Sequence, residues 1–493
     1  MNETAPAAQP QTAATDPSMV PLRKRVITGS VWTLASYGGS QLLRLGGNLI
    51  FARLLFPEAF GLMALVNVFV QGLTMFSDIG IGPSIIQNKR GEDPAFLNSA
   101  WSIQVVRGAL LWIASALGAA PFAAWYGEPQ LASLIPVAAL AALISGFTST
   151  KLFSGERRIA LARITVIDFS SQTIGLVSMV AWCFVTRSVW AIVFGGLIGT
   201  ATKTLLTHLV LPGERNRFAI EREAFRELTR FGRWIFVSTA LAFLTSQVDR
   251  LLLGKFVNID QLGVYSIAIN LASLAPTIAL MLTGTVLFPL LAHHSRTDAK
   301  AYEQALFGAR AMILKGALFV LAGLALFAPA FFGLLYDSRY SEAAWIAQLL
   351  TVPMWVWMLM LSADRAALAA GNSKALAISN ACSLAGKLVG CSVGYHFAGL
   401  AGFILGLAFG NALGHLPIVL ALRRMQIHVL RQDLPYTGAA VGILGGGVLV
   451  QRLAARGLEG HVSLLVQSLV ALVILVPLGW KTALHAKQVI GSQ

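Results

Sequence analysis

Charged residues are scarce in this chain. They make up 12% of its 493 residues, whereas an ordinary soluble domain is about 25% charged. Hydrophobic residues reach 56%, and the mean hydropathy is +0.70. This balance excludes a soluble enzyme, a disordered protein and a fibrous protein. Most of the chain is therefore expected to lie in lipid, as a polytopic membrane protein.

Cysteine is equally scarce, and the common catalytic motifs are missing. Cys183, Cys382 and Cys391 all fall in apolar stretches, outside any Cys-x-x-Cys motif or Cys/His cluster. Neither a disulfide framework nor a zinc site is predicted, and we expect no cofactor. The sequence has no GxxxxGK[ST] loop, no GxSxG and no HExxH. An ATPase of the P-loop type, a serine hydrolase and a zinc protease are therefore not predicted.

Long apolar runs dominate what is present. A run of about 20 residues spans the hydrocarbon core, and the backbone of a span must satisfy its own hydrogen bonds, which predicts helices. We therefore expect an all-α polytopic membrane protein with about 14 transmembrane helices. The predicted spans are 27–50, 59–81, 98–118, 130–150, 164–185, 189–211, 232–253, 262–289, 308–331, 343–363, 375–395, 400–421, 435–450 and 462–480.

The basic residues predict the topology. A net charge of +15 would suggest a nucleic-acid partner in a soluble protein. With the N-terminus inside, however, most of the 37 lysines and arginines fall in cytoplasmic loops. The opposite side holds Arg53, Arg187, Lys255, Arg339, Arg452 and Arg456. This positive-inside bias predicts that both termini are cytoplasmic, and no nucleic-acid partner is expected. Seven cations remain in or beside the spans: Arg44, Arg107, Lys203, Arg233, Arg250, Lys315 and Lys387.

The chain also repeats itself weakly. Residues 52–62 match 254–264 at a shift of 202, and residues 195–201 match 406–412 at a shift of 211. Six predicted spans separate the partners, so the repeats are parallel. We predict two six-helix lobes related by a pseudo-two-fold axis, plus two C-terminal helices. The predicted divisions are a disordered cytoplasmic tail at 1–22, an N-lobe at 23–211, a cytoplasmic linker at 212–231, a C-lobe at 232–421, and the C-terminal helices with a cytoplasmic tail at 422–493.

Polar side chains recur at helical spacing along the first, second, seventh and eighth predicted spans. Residues three or four apart share one face of a helix, so each set forms a polar stripe. The stripes predict a polar, net-basic cavity between the lobes. Its expected uncharged lining is Tyr37, Gln41, Asn48, Asn67, Gln71, Ser246 and Asn270. Hydrogen bonding between packed membrane helices is the alternative explanation for these side chains.

Five cations are predicted to belong to this cavity. A charge at the bilayer centre costs about 2.5–3.5 kcal/mol on insertion scales, so Arg44 and Arg250 are expected to face polar surroundings, as is Lys387 in the eleventh span. For Arg250, local pairing with its neighbouring acid or a position near the interface is the alternative. Arg53 and Lys255 lie just beyond two spans, where contact with a substrate and snorkelling to the interface are both open.

Three acidic residues are candidates for ion coupling: Asp78, Asp168 and Asp249. For Asp168, a structural ion pair with a cation of its own lobe is the alternative. Two function classes compete at this point. A transporter or flippase is favoured by duplicated lobes around a polar cavity. A membrane-embedded enzyme acting on lipid-linked sugars would need positioned acids or bases, and the short external loops offer no paired carboxylates beyond Asp337 and Glu342.

The opening segment, residues 29–87, resembles the N-terminus of bacterial Wzx-type polysaccharide flippases. These belong to the polysaccharide transporter family of the multidrug/oligosaccharidyl-lipid/polysaccharide exporter superfamily. The elements that carry the resemblance are Arg53-Leu54-Leu55, Pro57-Glu58-x-Phe60-Gly61, Asp78-Ile79-Gly80 and Ile86-Gln87. The resemblance covers the full chain by topology, but these motifs are confined to about the first 90 residues.

The resemblance implies a flippase of the bacterial inner membrane that works by alternating access in exopolysaccharide, capsule or O-antigen synthesis. Its substrate would be an undecaprenyl-pyrophosphate-linked oligosaccharide, moved to the periplasmic leaflet. Membrane lipids and the polysaccharide polymerase or export machinery would be its partners. Arg44 and Arg250 would meet the pyrophosphate or acidic sugars, and Arg53 and Lys255 would guide release. Coupling to protons or sodium would be expected. A multidrug or lipid II exporter of the same superfamily is the alternative.

Overall fold

The computed structural model describes residues 22–77, 80–158, 161–288, 290–291, 299–454, 456 and 460–491, and this part of the chain is helical almost throughout. We number its helices in chain order. They are α1 Leu22–Leu54, α2 Pro57–Phe76, α3 Ile81–Gln87, α4 Pro94–Tyr126, α5 Leu131–Ala138, α6 Leu140–Gly146, α7 Lys151–Arg157, α8 Leu161–Thr186, α9 Trp190–Leu209, α10 Arg222–Phe256, α11 Ile259–Ala272, α12 Leu274–Leu282, α13 Ala299–Leu335, α14 Ala343–Ala369, α15 Ser373–Arg424, α16 Leu430–Ala440, α17 Gly447–Ala454 and α18 Gly460–Gly491.

Several helices are interrupted or continued by irregular turns. α15 is kinked at Ala398 and Gly399. Gly399 has a φ of 57°, a conformation that glycine adopts without the penalty of a Cβ atom. The kink divides α15 into the two predicted spans 375–395 and 400–421. π-helical turns at Thr283–Leu287 and Val441–Gly446 follow α12 and α16.

Within the described residues, ten helices are long and apolar enough to cross a membrane. The number is eleven if the segments Leu131–Gly146 and Lys151–Arg157, bent by 63°, form one span. The helices α1 and α10, whose side chains are described only in part, are not among these ten. α15 is counted once although it covers two predicted spans. The chain is therefore a multi-pass helical membrane protein, and the count of fourteen stays a prediction.

The crossing of α2 and α11 shows a reciprocal contact. A Cβ atom on Gly61 would overlap the backbone carbonyl of Ile259, and one on Gly263 would overlap the carbonyl of Pro57. Each glycine and each carbonyl is related to its partner by the same 202-residue shift that appears in the sequence. The two helices can approach this closely only because both positions lack a side chain.

A second close contact also recurs along the chain. Gly175 of α8 packs against Gly199 of α9, and Gly386 packs against Gly410 between the two segments of α15. These two pairs are separated by 211 residues, the second shift found in the sequence. The contacts agree with the predicted repeat at these places, and the pseudo-two-fold relation of whole lobes remains a prediction.

The predicted linker at 212–231 packs against the ends of α3 and α4. Arg90 lies between two carboxylates, 2.7 Å from Asp93 and 2.6 Å from Glu221. Hydrogen bonding to Arg90 lowers the pKa of Asp93 below its ordinary value. The Ser102 hydroxyl donates to the carbonyl of Ala219 at 3.0 Å. The segment that joins the two predicted lobes is thus attached to the N-terminal half. The predicted tail falls almost entirely in residues 1–21, outside the described part.

Candidate functional site

A cavity of about 1130 Å³ lies among α1, α2, α8, α9, α10 and α11. Four of these helices correspond to the first, second, seventh and eighth predicted spans, which were expected to line it. α8 and α9 complete the wall on the N-terminal side. The described residues of α14 and α15 do not line it. The cavity is therefore formed mainly by the N-terminal half of the chain.

The structure places seven of the predicted site residues around this cavity. They are Arg44, Asn48, Asn67, Gln71, Asp168, Arg250 and Asn270. Gln41 and Ser246 do not line it. The Ser246 hydroxyl instead donates to the carbonyl of Phe243 on its own helix at 2.9 Å. Tyr37 belongs to α1, but its side chain lies outside the described part, as does residue Asp78.

Two arginines stand at different depths in the cavity. Arg44 is exposed to it. Arg250 Nη1 donates to Gln247 Oε1 at 2.5 Å, and Gln247 Nε2 donates to Gln71 Oε1 at 3.1 Å. The partner of Arg250 is thus an amide, not the neighbouring Asp249. An amide acceptor orients the guanidinium without neutralising its charge, so the charge remains available to an anion.

A third cation in the cavity is paired. Lys203 Nζ of α9 lies 2.7 Å from Asp168 Oδ1 of α8, and the two side chains are 40% and 41% exposed. The alternative foreseen for Asp168, an ion pair within its lobe, agrees with this geometry. The charges of the described lining are therefore Arg44, Lys203 and Arg250 against Asp168. This leaves a net positive cavity.

Amides and hydroxyls form the rest of the polar lining. Six carboxamides are present: Asn48, Asn67, Gln71, Gln172, Gln247 and Asn270. A carboxamide both donates and accepts hydrogen bonds, which suits the hydroxyl groups of a sugar. Cations and carboxamides together can hold a ligand that carries both phosphate and sugar. In the described part of the chain, no group of three His, Cys, Asp or Glu side chains could hold a metal ion.

Two of the charged residues predicted at the site lie outside the cavity lining. Asp249 is 6% exposed and accepts a hydrogen bond from the Tyr265 hydroxyl at 2.9 Å. Lys387 Nζ donates to the carbonyl of Thr245 at 2.9 Å. Lys387 therefore joins α15 to α10 in this structure, and its contact with substrate stays a prediction.

Arg53 and Lys255 lie where α1 and α10 end, and we name this part of the molecule the closed end. Arg53 Nε donates to the carbonyl of Leu335, the last residue of α13, at 3.3 Å. Lys255 Nζ donates to the carbonyl of Trp125 and lies 4.6 Å from the centre of its ring. Each cation thus links one predicted lobe to the other, because each carbonyl belongs to the opposite half.

A loop between α13 and α14 strengthens this closure. Arg339 pairs with Asp337 and lies 4.7 Å above the ring of Phe56. The Tyr340 hydroxyl donates to the carbonyl of Leu55 at 3.2 Å. Hydrogen bonding to Arg339 lowers the pKa of Asp337, so that carboxylate stays charged at neutral pH. These contacts and the crossing of α2 and α11 close one end of the cavity.

One buried charge network was missed from the sequence. Arg310 is 0% exposed, and its Nη2 lies 2.6 Å from Asp433 Oδ1. The other carboxylate oxygen lies 2.9 Å from His415 Nε2. The count of basic residues that predicts the topology includes Arg310 among the cytoplasmic loops, at the edge of the predicted span 308–331. Its placement in a loop is wrong, because Arg310 lies inside α13 with its charge balanced. A basic residue on a loop and one paired within a helix look alike in sequence.

A family model described as "Polysaccharide biosynthesis protein" matches residues 50–345, more than half of the chain. The chain belongs to this family. It is similar to the lipopolysaccharide biosynthesis protein WzxC of Escherichia coli (strain K12), with 24% identity over 276 residues, 55% of each chain. The succinoglycan biosynthesis transport protein ExoT of Rhizobium meliloti (strain 1021) is 24% identical over 268 residues, which are 54% of this chain and 53% of ExoT. The match thus spans about half the length of these curated relatives.

This member of the polysaccharide biosynthesis protein family also has solved structural neighbours. Lipid II flippase MurJ in an inward closed conformation superposes with a TM-score of 0.66 and 14% identity, covering 92% of this chain and 98% of MurJ. An inward-facing MATE family transporter of the MOP superfamily gives a TM-score of 0.62 at 14% identity, covering 78% and 94%. These likenesses confirm the all-helical fold. The predicted resemblance to polysaccharide flippases is confirmed at the level of the family.

Proposed function

We propose that this chain is a flippase that moves an undecaprenyl-pyrophosphate-linked oligosaccharide from the cytoplasmic to the periplasmic leaflet of the inner membrane. The observation that carries the proposal is the composition of the cavity. Three cations and six carboxamides surround about 1130 Å³ in a chain of the polysaccharide biosynthesis protein family. Relatives whose names refer to lipopolysaccharide and to succinoglycan transport support the same substrate class.

The physical chemistry of the substrate agrees with this cavity. A pyrophosphate-sugar headgroup cannot cross hydrocarbon without a polar path, because its charged and hydroxyl groups would lose their hydration. The guanidinium groups of Arg44 and Arg250 offer fixed pairs of donors for phosphate oxygens. Outward movement of negative charge is favoured by about 2.3 kcal/mol per charge per 100 mV in a cell that is negative inside. Asp168 lines this cavity, so we retain it as the first ion-coupling candidate.

The test is polysaccharide export by cells that carry Arg44→Ala or Arg250→Ala. Each substitution removes a cavity cation, so we expect export to fall at least tenfold while the amount of protein in the membrane stays normal. Arg452→Ala is the matched control, since Arg452 is an exposed arginine of α17 outside the cavity lining. Normal export by both cavity variants at normal protein levels would contradict the proposal.

Complementation separates this function from the alternative within the superfamily. We expect the chain to restore export in a strain that lacks a Wzx-type flippase and not to restore growth in a strain that lacks its lipid II flippase. The opposite result would assign the chain to peptidoglycan-precursor export. Resistance to toxic cations as the sole phenotype would assign it to multidrug export.

A further inference from the structure

Lys203, the paired lysine of the cavity, lies at a different depth from Arg44 and Arg250. Lys203 lies six residues before the end of α9 at Leu209, and Asp168 lies seven residues after the start of α8. At 1.5 Å per residue, both are about 10 Å from the ends of their helices that face away from the closed end. Arg250 lies six residues from the end of α10 at Phe256, about 9 Å from the closed end.

The three cavity cations therefore lie at successive depths between the two ends of the cavity. Arg44 lies ten residues before the end of α1, about 15 Å from the closed end, and so falls between Lys203 and Arg250. In the predicted topology the end of the cavity near Lys203 faces the cytoplasm. A headgroup entering from that side would meet Lys203 first, then Arg44, then Arg250.

The Lys203–Asp168 ion pair has features that allow an anionic ligand to displace Asp168. Both partners are about two-fifths exposed, and a solvated pair of this kind contributes little to stability. Glu156 of α7 lies near enough to interact electrostatically with both Lys203 and Asp168. Lys203 thus contacts one acid and interacts electrostatically with a second. A ligand can bind Lys203 in place of Asp168 only if it carries more negative charge than a single carboxylate.

We infer that the Lys203–Asp168 pair is an entry site for the pyrophosphate group of the substrate. In this structure, Asp168 holds Lys203. An arriving pyrophosphate, which has two charged groups, binds the Lys203 ammonium in place of Asp168, and Asp168 is released. A neutral sugar or a singly charged lipid competes poorly with Asp168. A lone phosphate group has fewer charged oxygens than a pyrophosphate and competes less well than it does, so the pair favours pyrophosphate-linked lipids at the entrance. This inference rests on the proposed function and adds to it a residue that controls entry.

The test is the binding of farnesyl pyrophosphate and farnesyl monophosphate to the purified full-length protein in detergent. If Asp168 competes with the ligand, Asp168→Asn binds the pyrophosphate about three- to tenfold more tightly than the wild type. Lys203→Gln binds it about three- to tenfold more weakly. The preference for pyrophosphate over monophosphate falls in both variants. A purely structural ion pair predicts instead that both substitutions act in the same direction.

Two further variants separate local competition from a general change in charge. Glu156→Gln removes the same charge without breaking a hydrogen bond to Lys203, so it should tighten binding less than Asp168→Asn does. In the Lys203→Gln background, Asp168→Asn should bring no gain, because the competition needs the lysine. A gain of equal size in both backgrounds would overturn the inference.

Arg44→Gln distinguishes failure of this inference from failure of the proposed function. If Arg44→Gln weakens binding of farnesyl pyrophosphate but Asp168→Asn does not strengthen it, the entry site is wrong and the cavity assignment stands. If the wild type and Arg44→Gln bind the pyrophosphate no better than the monophosphate, the proposed function is contradicted as well.

Discussion

Arg310 of α13 is the most deeply buried charge in the described part of the chain, and residues of two other helices, α14 and α16, hold it. Its Nε donates to Ser362 Oγ at 2.8 Å, and its Nη2 donates to the carbonyl of Leu359 at 3.1 Å. Asp433 of α16 supplies the balancing charge. Because Asp433 lies beyond the predicted C-lobe, this network attaches the C-terminal helices to the rest of the molecule.

Removal of one partner should therefore be costly. Asp433→Ala leaves a buried guanidinium without its counter-charge, and we expect a loss of about 3–5 kcal/mol in the free energy of unfolding. Thermal unfolding in detergent measures this loss. The double variant Arg310→Met/Asp433→Leu should recover most of it, because no buried charge remains. Arg431→Ala, at an exposed neighbour of the network, is the control, and a loss of equal size there would contradict this account.

Helical spacing in the sequence singles out four residues that line the cavity in this structure. Arg44 and Asn48 are four residues apart on α1, as are Asn67 and Gln71 on α2, and all four line the cavity. On α10 the predicted stripe included Ser246, whereas Gln247 lines the cavity. A shift of one residue turns a helix by about 100°, and only the packing of α10 against its neighbours decides that rotation.

Other site residues could not be predicted because they depend on contacts between distant helices. Lys203 was recognised as a cation inside a span, but the sequence does not show that α9 faces the cavity. Its pairing with Asp168 joins positions on two helices, and many other pairs were equally compatible with the sequence. Lys387 is the opposite case. Its charge within a predicted span suggested that it lines the cavity, but its ammonium donates to a backbone carbonyl outside the lining.

Among the helices, the α2–α11 crossing sets how closely the two halves of the chain approach. Gly61 and Gly263 each face a backbone carbonyl of the other helix, and a carbonyl cannot move aside as a flexible side chain can. The repeat in the sequence predicted that these positions correspond. It did not predict that they touch, because a match in sequence carries no information about which helices are neighbours.

Alanine at either glycine should force the helices apart. We expect Gly61→Ala and Gly263→Ala to lower the thermal stability of the purified protein by about 1–3 kcal/mol, the usual range for overpacking, and by similar amounts because the contacts are reciprocal. Gly46→Ala is the control, since a Cβ there has no heavy atom within 4 Å. Alanine is the better helix former, so that variant should be unchanged or slightly more stable. Unchanged stability of both crossing variants would contradict the role of this contact.

Helix boundaries were predicted less well than the existence of helices. In the described part of the chain, each predicted span falls mainly on helix. Length and hydropathy suffice for this, because a backbone in lipid must satisfy its own hydrogen bonds and therefore forms helices. The gap between the predicted spans 375–395 and 400–421 coincides with the kink of α15 at Ala398 and Gly399. The bend of 63° after α6 depends on local backbone geometry, which hydropathy averaged over many residues does not register.

At the scale of the whole molecule, the cavity is closed at one end. The side chains of Leu55, Leu253, Leu262 and Tyr340 near that end are all 0% exposed, whereas Lys203 and Asp168 near the other end are about two-fifths exposed. The lobes are held together where α1 and α10 end, by Arg53, Lys255 and Arg339. With the predicted topology, this is a state open toward the cytoplasm.

Accessibility of the cavity tests both the topology and the state. Asn67→Cys places a thiol on an exposed cavity position, and a membrane-impermeant maleimide should label it in inside-out vesicles but not in right-side-out vesicles. The background carries Cys382→Ser because Cys382 is partly exposed, and the buried Cys183 and Cys391 serve as internal controls. Arg339→Gln should increase labelling from the outer side, because it weakens the closed end. Equal labelling of Asn67→Cys from both sides would contradict a closed end.

The ion pair at the cavity entrance has a counterpart 211 residues later in the chain. The same shift that relates Gly175 to Gly386 leads from Asp168 to Ser379 and from Lys203 to Gly414. These two residues also touch, since the Ser379 hydroxyl donates to the carbonyl of Gly414 at 2.7 Å. The two pairs of positions thus touch in both halves of the chain, through charged side chains in one half and through a hydroxyl and a carbonyl in the other. Under the proposed function, the N-terminal half would hold the anion and the neutral counterpart would serve only to pack the two segments of α15 together.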